Sequence, residues 1–151
     1  MIYSERLKYL REEKELKQYE LAKTLGFHKN GYGQFEREET LFPIIHLNTL
    51  CNFFNVSIDY LFNFTDKRKY LHSRKEINAE LSGNRLKELR KENKLTQVNL
   101  ASFLKTTQSN IVGYEKGKFI IATPYLYMIC KKYHISAEYL LGKIDEPKYF
   151  K

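Results

Sequence analysis

No stretch of about 18 consecutive apolar residues occurs in this sequence, which excludes a helical membrane span. The amino terminus, MIYSERLKYLREEK, lacks a signal-type apolar core, so a cytoplasmic location away from membranes is expected. Proline is scarce, at three residues, and 42% of the 151 residues are hydrophobic and 15% aromatic, which excludes a disordered chain. The two cysteines, Cys51 and Cys130, sit in apolar segments with no Cys or His at ligand spacing, so they read as core residues and no metal is expected. His28, His46, His72 and His134 have no carboxylate or thiol at a useful spacing, and no glycine-rich phosphate loop is present. Neither catalysis nor a cofactor is expected.

What is present is positive charge, unevenly distributed. The net charge of +8 favours an anionic partner. Residues 1–72 hold 11 Lys and Arg against 10 Asp and Glu, net +1, whereas residues 82–151 hold 13 against 6, net +7. The excess belongs to the carboxyl-terminal half.

The chain repeats itself. RLKYLREEKELKQYELAKTL from Arg6 returns as RLKELRKENKLTQVNLASFL from Arg85, an offset of 85 − 6 = 79. From Arg6 to Asp66 the register holds without a gap, with 18 identities in 61 positions. It runs on into DKRKY against DEPKY. Two small units therefore follow one another, at 1–71 and 82–151, joined by 72–81.

The apolar spacing predicts four or five short helices per unit, an all-α architecture with no alternating strand pattern. In the second unit Thr96, with Asn99 three residues on, is placed to cap a helix burying Leu100, Ala101 and Leu104. The next helix buries Ile111 and Tyr114 and stops at Gly117. A fourth starts near Thr123 with Pro124 at its first position, and Ser136 caps a fifth ending at Gly142. In the joining segment, Ser73 stands three residues before Glu76, which favours a short linking helix over a disordered linker for 72–81.

LTQVNLASFLKTTQSNIVGYEKGK followed by TPYLYMICKKYHISAEYLLG resembles the helix-turn-helix domain of the phage-repressor and Cro (XRE) type, widespread among bacterial transcription regulators. The shared features are the Gln after the second helix's cap, the Leu-Ala inside it, an Ile and then an aromatic followed by Glu in the third helix, and the closing Leu-Leu-Gly. The first unit matches through Gln18, Leu21-Ala22, Glu36 and VSIDYL. The resemblance implies two tandem lambda-repressor-like domains and a double-stranded DNA partner.

In such a domain the third helix enters the major groove and the second crosses the backbone. Gln97 is then expected at a phosphate, and Thr107, Gln108, Ser109 and Asn110 on base edges. Lys116 and Lys118 fall in the following loop, within reach of phosphates, and Lys105 stands at the turn before the helix. Gly113 offers no side chain to the groove. Glu115 is expected to brace its own domain, and Lys131 with Lys132 reads as a solvated face.

The first unit departs from this pattern. HKNGYGQFEREET, His28 to Thr40, is in register with TQSNIVGYEKGKF, Thr107 to Phe119. Its candidate contacts are Gln18, Lys29, Asn30, Gln34 and Arg37. Gly31 and Gly33 each cost a helix interior roughly 1 kcal/mol, and they are expected to give Tyr32 room where the second unit has Ile111. Glu38 and Glu39 replace Gly117 and Lys118 and oppose a phosphate edge, and Lys17 replaces the capping Thr96.

The sequence therefore predicts a sequence-specific regulator, expected to repress, with the second unit as main reader and the first as a weaker reader or a homodimer surface. The alternative is an antitoxin-like or adaptor module that binds protein; Phe42, Phe53, Phe62 and Phe64 of its first unit fit a sticky surface, although many of them must belong to the core.

Overall fold

The structure is a computed structural model that describes residues 3–28, 31–39 and 42–150. The chain divides into two compact units, Met1–Tyr70 and Leu71–Lys151. The first contains α1 (Tyr3–Glu13), α2 (Gln18–Thr24), α3 (Gly31–Glu36), α4 (Ile44–Phe54) and α5 (Ile58–Leu61). The second contains α6 (Ala79–Glu92), α7 (Gln97–Leu104), α8 (Gln108–Glu115), α9 (Thr123–Tyr133) and α10 (Ala137–Leu140). The protein is all-α; one isolated bridge, Ile135 with Tyr149, is the extent of β pairing among the described residues.

Each core is assembled from the repeated apolar positions. Leu7, Leu10, Leu21, Ala22, Leu47 and Cys51 are buried in the first unit, and their counterparts Leu86, Leu89, Leu100, Ala101, Leu126 and Cys130 in the second. Both cysteines are buried in these cores. Of the phenylalanines divided between core and sticky surface, Phe42 and Phe62 are buried, and Phe53 and Phe64 are half-buried. Phe42 packs on Phe35 with ring centroids 4.1 Å apart, so the core takes these rings. Among the described residues, the large exposed apolar side chains of this unit are Tyr9, Tyr19 and Ile45.

The first helix of each unit is fastened to the last by one arginine. Arg85 donates to the Tyr139 carbonyl at 2.6 Å, to the Ile144 carbonyl at 2.7 Å and to Asp145 Oδ1 at 3.0 Å. Its guanidinium lies 3.9 Å from the Tyr139 ring centroid. Arg6 repeats the arrangement with the Tyr60 and Thr65 carbonyls, Asp66 and the Tyr60 ring.

Backbone shape repeats even where side chains differ. Left-handed residues occur at five matched places: Glu15 and Lys94, Gly26 and Lys105, Glu38 and Gly117, Asn55 and His134, Asn63 and Gly142. The turns therefore belong to the fold, and glycine fills them in some instances only. Beyond Asp66 and Asp145 the register slips by one: Ser57 N donates to the Arg68 carbonyl, but Ser136 N to that of Lys148, an offset of 148 − 68 = 80. DKRKY and DEPKY are thus not structural equivalents.

The linking helix expected over 72–81 is absent. Residues 71–78 are non-helical, and α6 starts at Ala79 under a cap from Asn78, whose Oδ1 accepts from Leu81 N at 2.9 Å. The backbone donors explain this: Arg74 N bonds the Lys143 carbonyl at 2.7 Å and Asn78 N the Leu141 carbonyl at 3.0 Å. Donors spent on another segment are lost to a local helix. Ser73 Oγ reaches Glu138 at 3.3 Å instead of capping.

Candidate nucleic-acid interface

The second unit builds its helix-turn-helix from two caps and one left-handed residue. Thr96 Oγ1 accepts from Asn99 N at 3.0 Å while Asn99 Oδ1 accepts from Thr96 N at 3.1 Å, a reciprocal box that starts α7. Lys105, at φ 58°, ends it. Two residues later Thr107 Oγ1 accepts from Asn110 N at 3.1 Å and starts α8. Ile111 and Tyr114 turn that helix's apolar side into the core, and Gly117 at φ 72° closes it.

The buried end of α8 is anchored by charge. Glu115, with its side chain 4% exposed, receives two bonds from Arg90, at 2.7 and 3.0 Å. Arg90 also donates to the Leu95 carbonyl at 2.9 Å, which joins α6, the α6–α7 turn and α8 at one point. Gly83 lets α6 come close: a Cβ there would lie 2.4 Å from the Tyr114 carbonyl oxygen. A glycine inside a helical pattern was the available sequence signal for this approach.

The opposite side of α8 is polar and open. Gln108 and Ser109 are exposed at its start, and Lys105, Lys116 and Lys118 are exposed around it. None of these three lysines pairs with a carboxylate among the described residues. Thr107 is exposed with its hydroxyl used as the cap. Asn110 is half-buried, and its Nδ2 donates to Thr106 Oγ1 at 2.7 Å. Gln97, half-buried at the start of α7, accepts from Gln108 Nε2 at 3.4 Å and donates to Glu115 Oε1 at 3.5 Å. Both distances are long, so the amides are loosely held. Beside Gln97, the apolar Val98 is exposed as well.

Gly113 is explained differently from the expectation. A Cβ on it would fall 2.2 Å from the Phe119 ring, which also packs edge-on against Tyr114. The glycine makes room for that ring.

The first unit preserves the anchor and alters the rest. Arg11 binds Glu36 at 2.7 and 3.2 Å and the Leu16 carbonyl at 2.7 Å, and Gln18 Nε2 donates to Glu36 at 2.6 Å. Burial works to raise the Glu36 carboxyl, but the bonds from Arg11 and Gln18 hold it below its ordinary value. Gln18 is thus firmly committed where Gln97 is loose. Tyr32 is fully buried in the place of Ile111, and its hydroxyl has no hydrogen-bond partner of normal geometry although Glu36 is within electrostatic reach. Burial pushes that hydroxyl's pKa well up.

Gly33 does not make room for Tyr32. A Cβ there would meet Gln18 Oε1 at 2.8 Å and Arg37 Nη1 at 2.9 Å, so it accommodates the polar side chains. Arg37 is paired with Glu39 at 2.8 and 3.2 Å, an exposed contact. Glu38, left-handed at φ 58°, accepts from Ser4 Oγ at 2.8 Å. Lys17 gives no side-chain cap, although Glu20 still accepts from its N–H at 3.2 Å. Gln34 is half-buried, and Lys29 and Asn30 lie outside the described residues.

Among the described residues no group of three or more His, Cys, Asp or Glu is placed to hold a metal ion. Among the described residues no helix is long and apolar enough to cross a membrane.

In each unit a second helix, a tight turn and a short third helix with an anchored inner side define a helix-turn-helix domain. Known proteins agree: one family model, described as a helix-turn-helix, matches residues 7–61, and another, described as a helix-turn-helix domain, matches residues 83–146. The chain is also 35% identical over 65 residues to YobD of Bacillus subtilis (strain 168), named as an uncharacterised helix-turn-helix-type transcriptional regulator. That match spans 43% of this chain and 58% of YobD. The chain belongs to the phage-repressor and Cro (XRE) type of helix-turn-helix proteins, with two such domains in tandem.

Proposed function

We propose that this protein is a sequence-specific, double-stranded-DNA-binding transcription regulator, a cytoplasmic repressor whose second unit presents α8 to the major groove. One observation carries the reading: Gln108 and Ser109 are exposed on a helix whose inner side is fixed by Arg90 and Glu115, among lysines that have no carboxylate partner among the described residues. Gln108 has the paired donor and acceptor that adenine accepts, and Ser109 and Thr107 suit any base edge or a thymine methyl. Gln97 and the first N–H groups of α7 suit a phosphate, as do Lys116 and Lys118. Asn110, held by Thr106, supports the turn and reaches a base only by releasing that bond.

The first unit is proposed as a weaker reader or a homodimer surface, because Gln18 and Arg37 are already committed to carboxylates. Light scattering with and without duplex separates these roles.

Selection of binding sites from random duplexes with the full chain tests the whole reading. One half-site assigns recognition to the second unit, and two dissimilar half-sites assign it to both. Gln108→Ala is expected to cost about 1 to 3 kcal/mol and blur one base position, whereas Lys118→Ala weakens all sequences and lowers the salt slope by about 1. Absence of salt-dependent duplex binding by the full chain overturns the proposal.

A further inference from the structure

An open groove of about 410 Å³ lies between α7 and α9 of the second unit, lined by Phe103, Tyr127, Met128, Lys131 and Lys132. The repeat supplies an internal comparison, because the first unit builds the same two helices at an offset of 79. Its residues at these places are Thr24, Asn48, Thr49, Asn52 and Phe53. Thr24 and Thr49 fold their hydroxyls back onto their own helices, at 2.8 Å to the Glu20 carbonyl and 3.0 Å to the Ile45 carbonyl. The fold therefore does not require two aromatics, a methionine and two lysines here.

What the second unit adds is an apolar floor under two exposed cations. Neither Lys131 nor Lys132 pairs with a carboxylate among the described residues. Lys132 Nζ stands 4.9 Å from the Phe103 ring centroid and Lys131 Nζ 6.0 Å from that of Tyr127. Ammonium groups over those ring faces leave poor platforms for stacking a nucleic-acid base, while ring edges and the adaptable Met128 side chain suit an aliphatic anchor. The charge asks for carboxylates beside that anchor.

We infer that this groove is a docking site for an acidic peptide segment of a partner protein, one carrying an aliphatic or aromatic anchor flanked by Asp or Glu. Such a segment seats its apolar residue on Phe103 and Met128 and sets its carboxylates against Lys131 and Lys132. Electrostatic attraction chiefly speeds the encounter, so binding weakens as salt rises. The regulator would then carry a partner-binding surface in the same unit that reads DNA, and the inference stands apart from that reading because it needs no duplex.

The test uses the full chain and a panel of fluorescein-labelled peptides of about twelve residues, with Leu and Phe at helical spacing among Asp and Glu. Companion peptides carry Ser for the apolar residues, or Lys for the acidic ones. The triple variant Phe103→Thr, Met128→Thr, Lys131→Asn installs residues the first unit already tolerates in the same fold. Saturable polarisation with the acidic apolar peptides is expected, about tenfold weaker in the variant and in both companion series, with duplex affinity unchanged. Lys131→Glu, at an exposed position, guards against misfolding of the triple variant: it is expected to lose the acidic peptides and gain the lysine ones. No saturable binding by any acidic peptide overturns the inference, as does equal binding by Lys131→Glu. Displacement of the peptide by single-stranded oligonucleotide reassigns the groove to nucleic acid, and a protein dimer abolished by Lys131→Glu reassigns it to a second copy; either result also overturns it.

Discussion

Arg90 and Glu115 are joined by two hydrogen bonds, at 2.7 and 3.0 Å, and the same pair recurs 79 residues earlier as Arg11 and Glu36, at 2.7 and 3.2 Å. Both carboxylates are 4% exposed. Breaking a buried pair leaves one charge uncompensated, so Glu115→Ala is expected to destabilise the second unit by about 3 to 5 kcal/mol in urea denaturation. Arg37→Ala, which removes the exposed and solvent-screened pair with Glu39, should leave stability nearly unchanged. Equal effects of the two variants would contradict the assignment of Arg90 and Glu115 as the anchor.

Gly83 sets the closeness of α6 to the end of α8. With the carbonyl oxygens of Tyr114 and Glu115 at 2.4 and 2.6 Å from an added Cβ, Gly83→Ala must push backbone apart. A loss of about 2 kcal/mol is expected in thermal melts. Gly31→Ala meets, among the described residues, His28 Cβ at an ordinary 3.6 Å, and should be neutral or gain about 0.5 kcal/mol.

Lys105 separates stability from binding. It occupies a left-handed position, φ 58°, that the first unit fills with Gly26 at φ 73°. Lys105→Gly is expected to raise stability by about 1 kcal/mol and, by removing a cation beside α8, to weaken every duplex. A melting temperature that rises while the salt slope falls is the expected pair of readings.

Acid should loosen the first unit through Glu36. Its carboxyl is held below the ordinary 4.5, so its contribution is fully present above that pH and is lost as pH falls through the lower folded value. Asp145 behaves likewise in the second unit, held down first by Arg74 and then by Arg85. Glu36→Gln should flatten the acid side of the first unit's stability profile, as followed by circular dichroism against pH.

Local chemistry was readable in the sequence, and close approach was not. The Thr96 and Asn99 box, the Ser136 cap and the stop at Gly117 depend on neighbours a few residues away, and the structure contains all three. Ser73 and Glu76 had the same local credentials, but Arg74 and Asn78 bond residues 143 and 141, which no local spacing reveals. Gly113 and Gly33 likewise make room for Phe119, and for Gln18 with Arg37, partners set by tertiary packing. Phe42 and Phe62 were ambiguous between core and surface because composition gives no direction to a side chain.

The five matched left-handed turns give the two domains the same backbone bends at five places. Residues 107–118 and 28–39 end at the same bend in the chain, closed by Gly117 in one and Glu38 in the other. A graft of the later segment onto the earlier scaffold keeps that bend but sets Ile111 where Tyr32 fills the core, so the outer surface transfers only together with that packing position. In that sense the duplication left the protein two copies of one mould, free to diverge wherever the mould faces outward.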